Sequence, residues 1–139
     1  MNKVIKTSHK LNAQSDKVWD RIRQGSGVDR WLPVIIDCEM QGDGEGAKRI
    51  CSLEQGKMLE TILKIDEENK IFQYAIDEQP LFPIDNVVGT MQVKQVVEGT
   101  ELSWELSFRL KDENLFPTVK EAIEELYTAG ANGLEQISN

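Results

Sequence analysis

The last stretch of the chain has the most regular pattern of hydrophobic and polar positions. Between residues 115 and 137, apolar or small residues recur at intervals of three and four, and the opposite face carries Lys120, Glu121, Glu124, Glu125, Glu135 and Gln136. This spacing predicts one long amphipathic helix, about 35 Å in length at the usual rise per residue. Asn114 can cap its start, with Thr118 and Glu121 as an alternative capping box, and Pro117 fits the first turn. The apolar face consists of Leu115, Phe116, Val119, Ile123, Leu126, Tyr127, Gly130, Leu134 and Ile137.

Most of the remaining chain alternates between apolar and polar residues, which is typical of strands with one buried face. Two short helical patterns, one from Ser15 and one over 28–32, separate the first predicted strand from the second. The later strands are joined by short turns, except for a loop over 77–86 that contains Pro80 and Pro83. This order predicts an antiparallel meander of about seven strands, with the first strand at an edge and the long helix packed on the sheet. The predicted strands span 3–11, 34–40, 47–54, 58–65, 71–76, 87–97 and 100–110.

Composition and charge narrow the classes of function. The 139 residues, with 40% hydrophobic and 29% charged residues, are typical of a single globular domain spanning 1–139. The formal net charge of −8 argues against nucleic acid or an anionic membrane as the partner. The N-terminus lacks the apolar region of a signal peptide, and no apolar stretch is long enough to cross a bilayer. We therefore expect a cytoplasmic protein that does not insert into membranes.

Histidine and cysteine, the usual ligands of zinc, are few and scattered. Cys38 and Cys51 fit no metal-binding or redox spacing, so we expect buried thiols, with a disulfide between them as the alternative. His9 is the only histidine, and a structural role is expected for it. The glycine-rich stretch 42–46 lacks the strand-to-helix setting of a phosphate-binding loop and is predicted to be a turn. No metal site and no cofactor are predicted.

Several short motifs occur in the order found in one known superfamily. They are Leu11-Asn12-Ala13, Val18-Trp19, Trp31-Leu32-Pro33, Gly46-Ala47-Lys48-Arg49, Gly56 with Glu60, Asp66, Tyr74, Pro80 or Pro83, and Trp104 with Phe108. This order resembles the helix-grip fold of the SRPBCC or START-like superfamily. Within it, the chain is most similar to the bacterial polyketide cyclase/dehydrase-like group, which includes accessory proteins of methanol dehydrogenase. The resemblance implies an α+β fold, in which a curved antiparallel sheet wraps round the long C-terminal helix. It also implies a cavity between them for a hydrophobic or amphipathic ligand.

Arg49 and Glu60 are the strongest candidates for the polar part of such a cavity. The resemblance implies that both side chains point inward, where they would bind a carboxylate, carbonyl or hydroxyl group of the ligand. The alternative is a cross-strand salt bridge on the surface. A shift of one residue in strand register would decide between the two, because it moves every side chain to the opposite face.

Six aromatic or apolar side chains complete the predicted site. Tyr74, Trp104 and Tyr127 are candidate ligand-binding residues, and each has an alternative role in the core. We expect the hydroxyl of Tyr74 to bind a ligand or Glu60, or alternatively the backbone. By resemblance, loops at one end of the fold form the mouth of the cavity. Trp31, Leu81 and Phe82 lie in such loops, where the last two would act as a lid or as a homodimer contact.

Three functions fit these patterns. The first is non-catalytic binding or carriage of a small hydrophobic or amphipathic molecule. The second is a cyclase or dehydratase acting on an aromatic or polyketide-like substrate, with Glu60 as general acid or base and Arg49 stabilising an enolate. The third is an accessory module that binds another protein and has a filled core.

Overall fold

The computed structural model describes residues 2–139, and its centre is one seven-stranded antiparallel sheet. The strand order is β1-β7-β6-β5-β4-β3-β2, so β1 and β2 are the two edges. This arrangement confirms the predicted meander and the edge position of the first strand. It follows from the short connections, which pair each strand from β2 onward with the next one along the chain. The strands are β1 (Asn2–Leu11), β2 (Asp37–Gln41), β3 (Lys48–Leu53), β4 (Gly56–Asp66), β5 (Ile71–Glu78), β6 (Ile84–Val96) and β7 (Gly99–Leu110).

Two α-helices and two short 3-10 turns accompany the sheet. Helix α1 (Ser15–Arg23) and a 3-10 turn (Val28–Arg30) lie between β1 and β2, as the sequence predicts. Helix α2 (Phe116–Ser138) has 23 residues and follows a 3-10 turn (Glu113–Leu115). No helix within residues 2–139 has the length and hydrophobicity that crossing a bilayer requires.

The start of α2 differs from the prediction. Asn114 does not cap the helix; its backbone N–H instead donates to the carboxylate of Asp112 at 3.0 Å. This bond closes the 3-10 turn, so the α-helix begins only at Phe116, with Leu115 at the cap position. Thr118 lies inside the helix rather than at its cap, so the alternative capping box is also wrong.

Helix α2 approaches its neighbours most closely at two glycines. A Cβ atom on Gly130 would lie 2.9 Å from Cζ3 of Trp104 and 3.1 Å from Cδ1 of Leu32. A Cβ atom on Gly133 would overlap the backbone carbonyl of Trp31. The absence of side chains at these positions therefore lets the helix lie directly on the core.

The C-terminal half of α2 is also tied to the first connection of the chain. The carboxylate of Glu135 accepts hydrogen bonds from the backbone N–H groups of Asn12 at 2.6 Å and Ala13 at 2.9 Å. These two donors follow β1 and precede α1, so they have no partner in the sheet. Glu135 thus satisfies two backbone groups and fixes the helix across the edge of the sheet.

The two cysteines form a cross-strand disulfide, so the expectation of free thiols is wrong. Cys38 on β2 and Cys51 on β3 are direct partners in the strand register, with their Cα atoms 4.2 Å apart. The thirteen-residue separation carries no disulfide signature by itself. Only the strand pairing brings the two residues together.

Candidate functional site

A cavity of about 70 Å³ lies between the inner face of the sheet and α2. Its walls come from α1, from the segment that follows α1, from β3 to β7 and from α2, and they are largely apolar. Arg49 and Glu60 are the only charged side chains among the described residues that line it. The cavity therefore has one charged region in a largely hydrophobic wall.

Arg49 and Glu60 form a buried ion pair in this wall. They are direct partners in the β3–β4 register, and their exposed fractions are only 4% and 3%. The guanidinium Nε donates to Glu60 Oε1 at 2.6 Å, and Nη1 donates to the carbonyl oxygen of Gly25 at 2.8 Å. The alternation of β3 and β4 places both side chains inside, and the surface salt bridge considered as the alternative does not occur.

Two aromatic rings also contact the Arg49 guanidinium. Its Cζ atom lies 5.2 Å from the ring centroid of Tyr74 and 5.6 Å from that of Phe72, both on β5. Cations are attracted to the faces of aromatic rings at such distances. The positive charge is therefore balanced by a carboxylate, a carbonyl oxygen and two ring faces.

Tyr74, Trp104 and Tyr127 form one connected cluster beside this pair. The indole Nε1 of Trp104 donates to the hydroxyl of Tyr74 at 3.0 Å. The Trp104 ring stacks on Tyr127, with ring centroids 3.8 Å apart and an angle of 3° between the planes. The partner of Tyr74 is thus an indole, and neither Glu60 nor a backbone group binds its hydroxyl in the described residues. All three side chains are buried and line the cavity.

Both tyrosine hydroxyls keep their protons far above neutral pH. Burial, followed by the nearby Glu60 carboxylate, raises the pKa of Tyr74 to about 12, although the hydrogen bond from Trp104 acts in the opposite direction. Burial, followed by Tyr74, raises the pKa of Tyr127 well above its usual value. The cluster therefore presents uncharged phenols to the cavity.

Gly89 on β6 makes room for this cluster and was missed in the sequence. A Cβ atom at this position would overlap the phenol ring of Tyr74, so only glycine lets the ring lie there. The available signal was a glycine within a strand pattern, which often marks close approach of another group. Gly25 was missed too, because its role as acceptor for Arg49 depends on a backbone atom.

The residues predicted to form the cavity mouth differ in how deeply their side chains are buried. Leu81 and Phe82 are half-buried, line the cavity, and lie on the connection between β5 and β6. Gln79 organises this connection: Oε1 accepts from the N–H groups of Leu81 and Phe82 at 2.7 and 2.8 Å, and Nε2 donates to the Phe82 carbonyl at 2.7 Å. We refer to residues 79–83 as the cavity loop.

Trp31 lies deeper than the sequence suggested. Its side chain is only 6% exposed, and its ring packs at a tilt against Trp104 with centroids 5.8 Å apart. The ring therefore belongs to the inner wall of the cavity, and α2 approaches the backbone of Trp31 at Gly133. Its indole Nε1 is buried and has no hydrogen-bond partner in residues 2–139.

The remaining chemical candidates lie away from the cavity. His9 is half-buried on β1, where Nε2 is 2.8 Å from the hydroxyl of Thr7, and burial lowers its pKa. It does not line the cavity. No group of three or more histidine, cysteine, aspartate or glutamate residues suited to a metal ion occurs within residues 2–139.

Comparison with the profiles of known families shows to which family the chain belongs. The profile of the family described as polyketide cyclase/dehydrase and lipid transport matches residues 3–138. The chain belongs to this family. No curated protein matches it significantly. The family membership confirms the group to which the sequence motifs pointed.

Solved structures of this type have the same architecture. A protein from Nitrosospira multiformis is 24% identical, with a TM-score of 0.81, and the match covers 99% of this chain and 97% of that one. Major latex-like protein 151 from Panax ginseng is 17% identical, with a TM-score of 0.83 and coverages of 100% and 99%. Norcoclaurine synthase from Thalictrum flavum, solved with dopamine and hydroxybenzaldehyde, is 16% identical, with a TM-score of 0.78 and coverages of 99% and 86%. These similarities confirm the helix-grip fold.

Proposed function

We propose that the protein binds a small, largely apolar molecule with one polar end in the cavity between α2 and the sheet. The observation that carries this proposal is the buried ion pair of Arg49 and Glu60 in the cavity wall. Within this pair, Nε of Arg49 donates to Oε1 of Glu60, and Nη1 of Arg49 donates to the Gly25 carbonyl. The other carboxylate oxygen, Oε2 of Glu60, accepts no hydrogen bond from residues 2–139. A carboxylate oxygen that accepts no hydrogen bond keeps its full acceptor capacity, so a polar group on a ligand is a natural partner for Oε2.

The size of the cavity limits the ligand. An engineered cavity of about 150 Å³ in another protein binds benzene, so about 70 Å³ requires the wall to move before even one ring fits. The cavity loop is the part of the wall best suited to move, because its residues are half-buried or, at Pro80, exposed, and belong to no strand. A ligand of one aromatic ring is therefore favoured over a long lipid chain. Norcoclaurine synthase, a protein of the same fold, was solved with ring compounds of this size.

The tryptophans provide a test with an internal control. Trp31 and Trp104 line the cavity, whereas Trp19 on α1 does not, and its Nε1 donates to Glu67 near the surface at 2.7 Å. We expect phenol and 4-hydroxybenzaldehyde to shift the indole N–H signals of Trp31 and Trp104 in two-dimensional NMR spectra, while the Trp19 signal stays unchanged. Saturating shifts would give the dissociation constant. Absence of shifts at millimolar probe, or equal shifts at all three indoles, would contradict binding in the cavity.

A second candidate function is proton transfer by an enzyme of the cyclase or dehydratase type. It is favoured by one observation: the carboxylate of Glu60 lies in an apolar cavity beside a fixed cation. In such a place Glu60 can remove a proton next to a carbonyl group, and Arg49 can stabilise the resulting enolate. The test is exchange of the methyl protons of acetophenone with deuterated water, followed by NMR. Exchange that exceeds the buffer rate and disappears in Glu60→Gln would support catalysis, and exchange at the buffer rate would leave binding alone.

A further inference from the structure

We infer that the cavity selects uncharged ligands over carboxylates of the same shape, and that Glu60 is the residue that sets this preference. The inference rests on the proposed function and specifies the chemical class of its ligand. It depends on how the charges in the wall are already balanced.

The described side chains that line the cavity have no net positive charge that would attract an anion. Arg49 is the only cation among the described lining residues, and Glu60 is the only anion. The two are in direct contact at 2.6 Å, with both side chains almost completely buried. Arg49 also donates from Nη1 to the Gly25 carbonyl, so two of its five N–H groups are already in use. A ligand carboxylate would have to compete with Glu60 for the same guanidinium.

A second carboxylate in this cavity would meet unfavourable surroundings. It would lose its hydration in an apolar wall and would lie near the negative charge of Glu60, and both effects oppose binding of the charged form. The salt bridges elsewhere on the sheet, such as that between Asp85 and Arg109, lie on the exposed surface and do not line the cavity. They cannot compensate the added charge at short range.

An uncharged polar group fits the same place without this cost. A hydroxyl or amide N–H can donate to Oε2 of Glu60, which accepts no hydrogen bond from residues 2–139. The hydroxyl groups of Tyr74 and Tyr127 add further hydrogen-bonding groups that carry no charge at neutral pH. The flat Trp104–Tyr127 stack provides an aromatic surface for the ring of the ligand.

Replacement of Glu60 should reverse the preference. In Glu60→Gln the side chain keeps its size and can still accept from Arg49 Nε, but the guanidinium charge is no longer neutralised. A carboxylate then becomes the favoured partner of Arg49. This reversal would show that the charge of Glu60 sets the choice of ligand and does not only stabilise the fold. Loss of structure would instead weaken the binding of every ligand.

Benzamide and benzoate provide a matched pair of probes, because they have nearly the same shape and differ in charge at pH 7. We expect the wild-type protein to bind benzamide at least roughly tenfold more tightly than benzoate, a difference of about 1.4 kcal/mol, as judged from the Trp31 and Trp104 indole signals. Glu60→Gln is expected to favour benzoate. The control Asp85→Asn removes a carboxylate from an exposed ion pair on the same sheet and should keep the wild-type ratio.

The outcomes separate this inference from the proposed function. Equal or tighter binding of benzoate by the wild-type protein overturns the inference and leaves ligand binding intact. Failure of phenol, benzamide and benzoate alike to shift the two indole signals overturns both. A folded Glu60→Gln variant that still prefers benzamide overturns the role of Glu60. The wild-type comparison tests the preference itself, whether or not Glu60→Gln folds.

Discussion

The indole of Trp104 lies flat on the phenol ring of Tyr127, with 3.8 Å between the ring centroids. Because the same indole donates to the hydroxyl of Tyr74, one side chain of β7 connects α2 with β5 across the core. We expect Trp104→Phe to lower the free energy of unfolding by about 2 kcal/mol or more, since it leaves a gap and removes the donor to a buried hydroxyl. Urea denaturation measures the loss.

Tyr127→Phe is the matched control for this change. It keeps a six-membered ring in the stack and removes only one hydroxyl group, so its cost should be smaller. If both variants lose the same free energy, the stacked area contributes less than we infer.

The two glycines of α2 should respond differently from an exposed position of the same helix. Alanine is a better helix former than glycine by about 1 kcal/mol, but overpacking a core costs about 1–3 kcal/mol. We expect Gly130→Ala to be destabilising, and Gly133→Ala more so, because the Trp31 carbonyl that it meets belongs to the backbone and cannot rotate away. Thermal melts followed by circular dichroism provide the comparison.

Asn132→Ala serves as the control, because Asn132 is exposed on the same turn of α2. It should leave the melting temperature unchanged or raise it slightly. An increase in melting temperature for Gly130→Ala would show that the ring of Trp104 can move aside, contrary to the packing described above.

The buried pair of Arg49 and Glu60 should be sensitive to removal of either partner. Arg49→Leu, which leaves the Glu60 carboxylate buried and unpaired, is expected to cost about 3–5 kcal/mol. The double variant Arg49→Leu/Glu60→Leu should recover part of this loss, since no uncompensated charge remains. Urea unfolding of the single and double variants measures the coupling, and strict additivity would contradict it. Asp85→Asn, which breaks an exposed pair, should change stability little.

The raised pKa values of Tyr74 and Tyr127 predict how the stability of the fold changes at high pH. Both have a pKa in the folded state above that of the unfolded chain, which is near 10. Below pH 10 their contribution is fully present. From pH 10 towards 12 the unfolded chain loses protons that the native state retains, so stability falls by up to about 1.4 kcal/mol per pH unit for each group.

Absorbance at 295 nm reports this titration directly, because the chain contains only 2 tyrosines. We expect no tyrosinate signal near pH 10 in the native protein and a cooperative rise when it unfolds at higher pH. In guanidinium chloride both phenols should titrate near pH 10. A gradual native titration centred at pH 10 would show that at least one ring is accessible to water.

The side chain of Gln79 should control the order of the cavity loop. Gln79→Ala removes three hydrogen bonds to Leu81 and Phe82. We expect the backbone N–H groups of these two residues to exchange with solvent at least roughly tenfold faster, as measured by NMR. Gln55→Ala, at the exposed β3–β4 turn, is the control. Unchanged exchange in Gln79→Ala would mean that apolar packing alone holds the loop.

Much of the fold was predictable because its signals are local. The alternation within each strand and the spacing of three and four in α2 each depend on residues close in sequence, and both predictions are confirmed. Details that depend on single contacts were not predictable. The 3-10 turn closed by Asp112 moved the start of α2, and the β2–β3 register joined Cys38 to Cys51.

The sequence by itself determined that β3 and β4 are strands on which Arg49 shares a face with Cys51 and Glu60 shares a face with Ile62. It left open whether that face lies inside or at the surface. Only the tertiary structure decided what these residues touch. The Gly25 carbonyl, the stack on Tyr127 and the space beside Gly89 bring together elements far apart in the chain. Such contacts depend on strand register and on the exact position of a helix over the sheet, and neither leaves a signal in a short stretch of sequence.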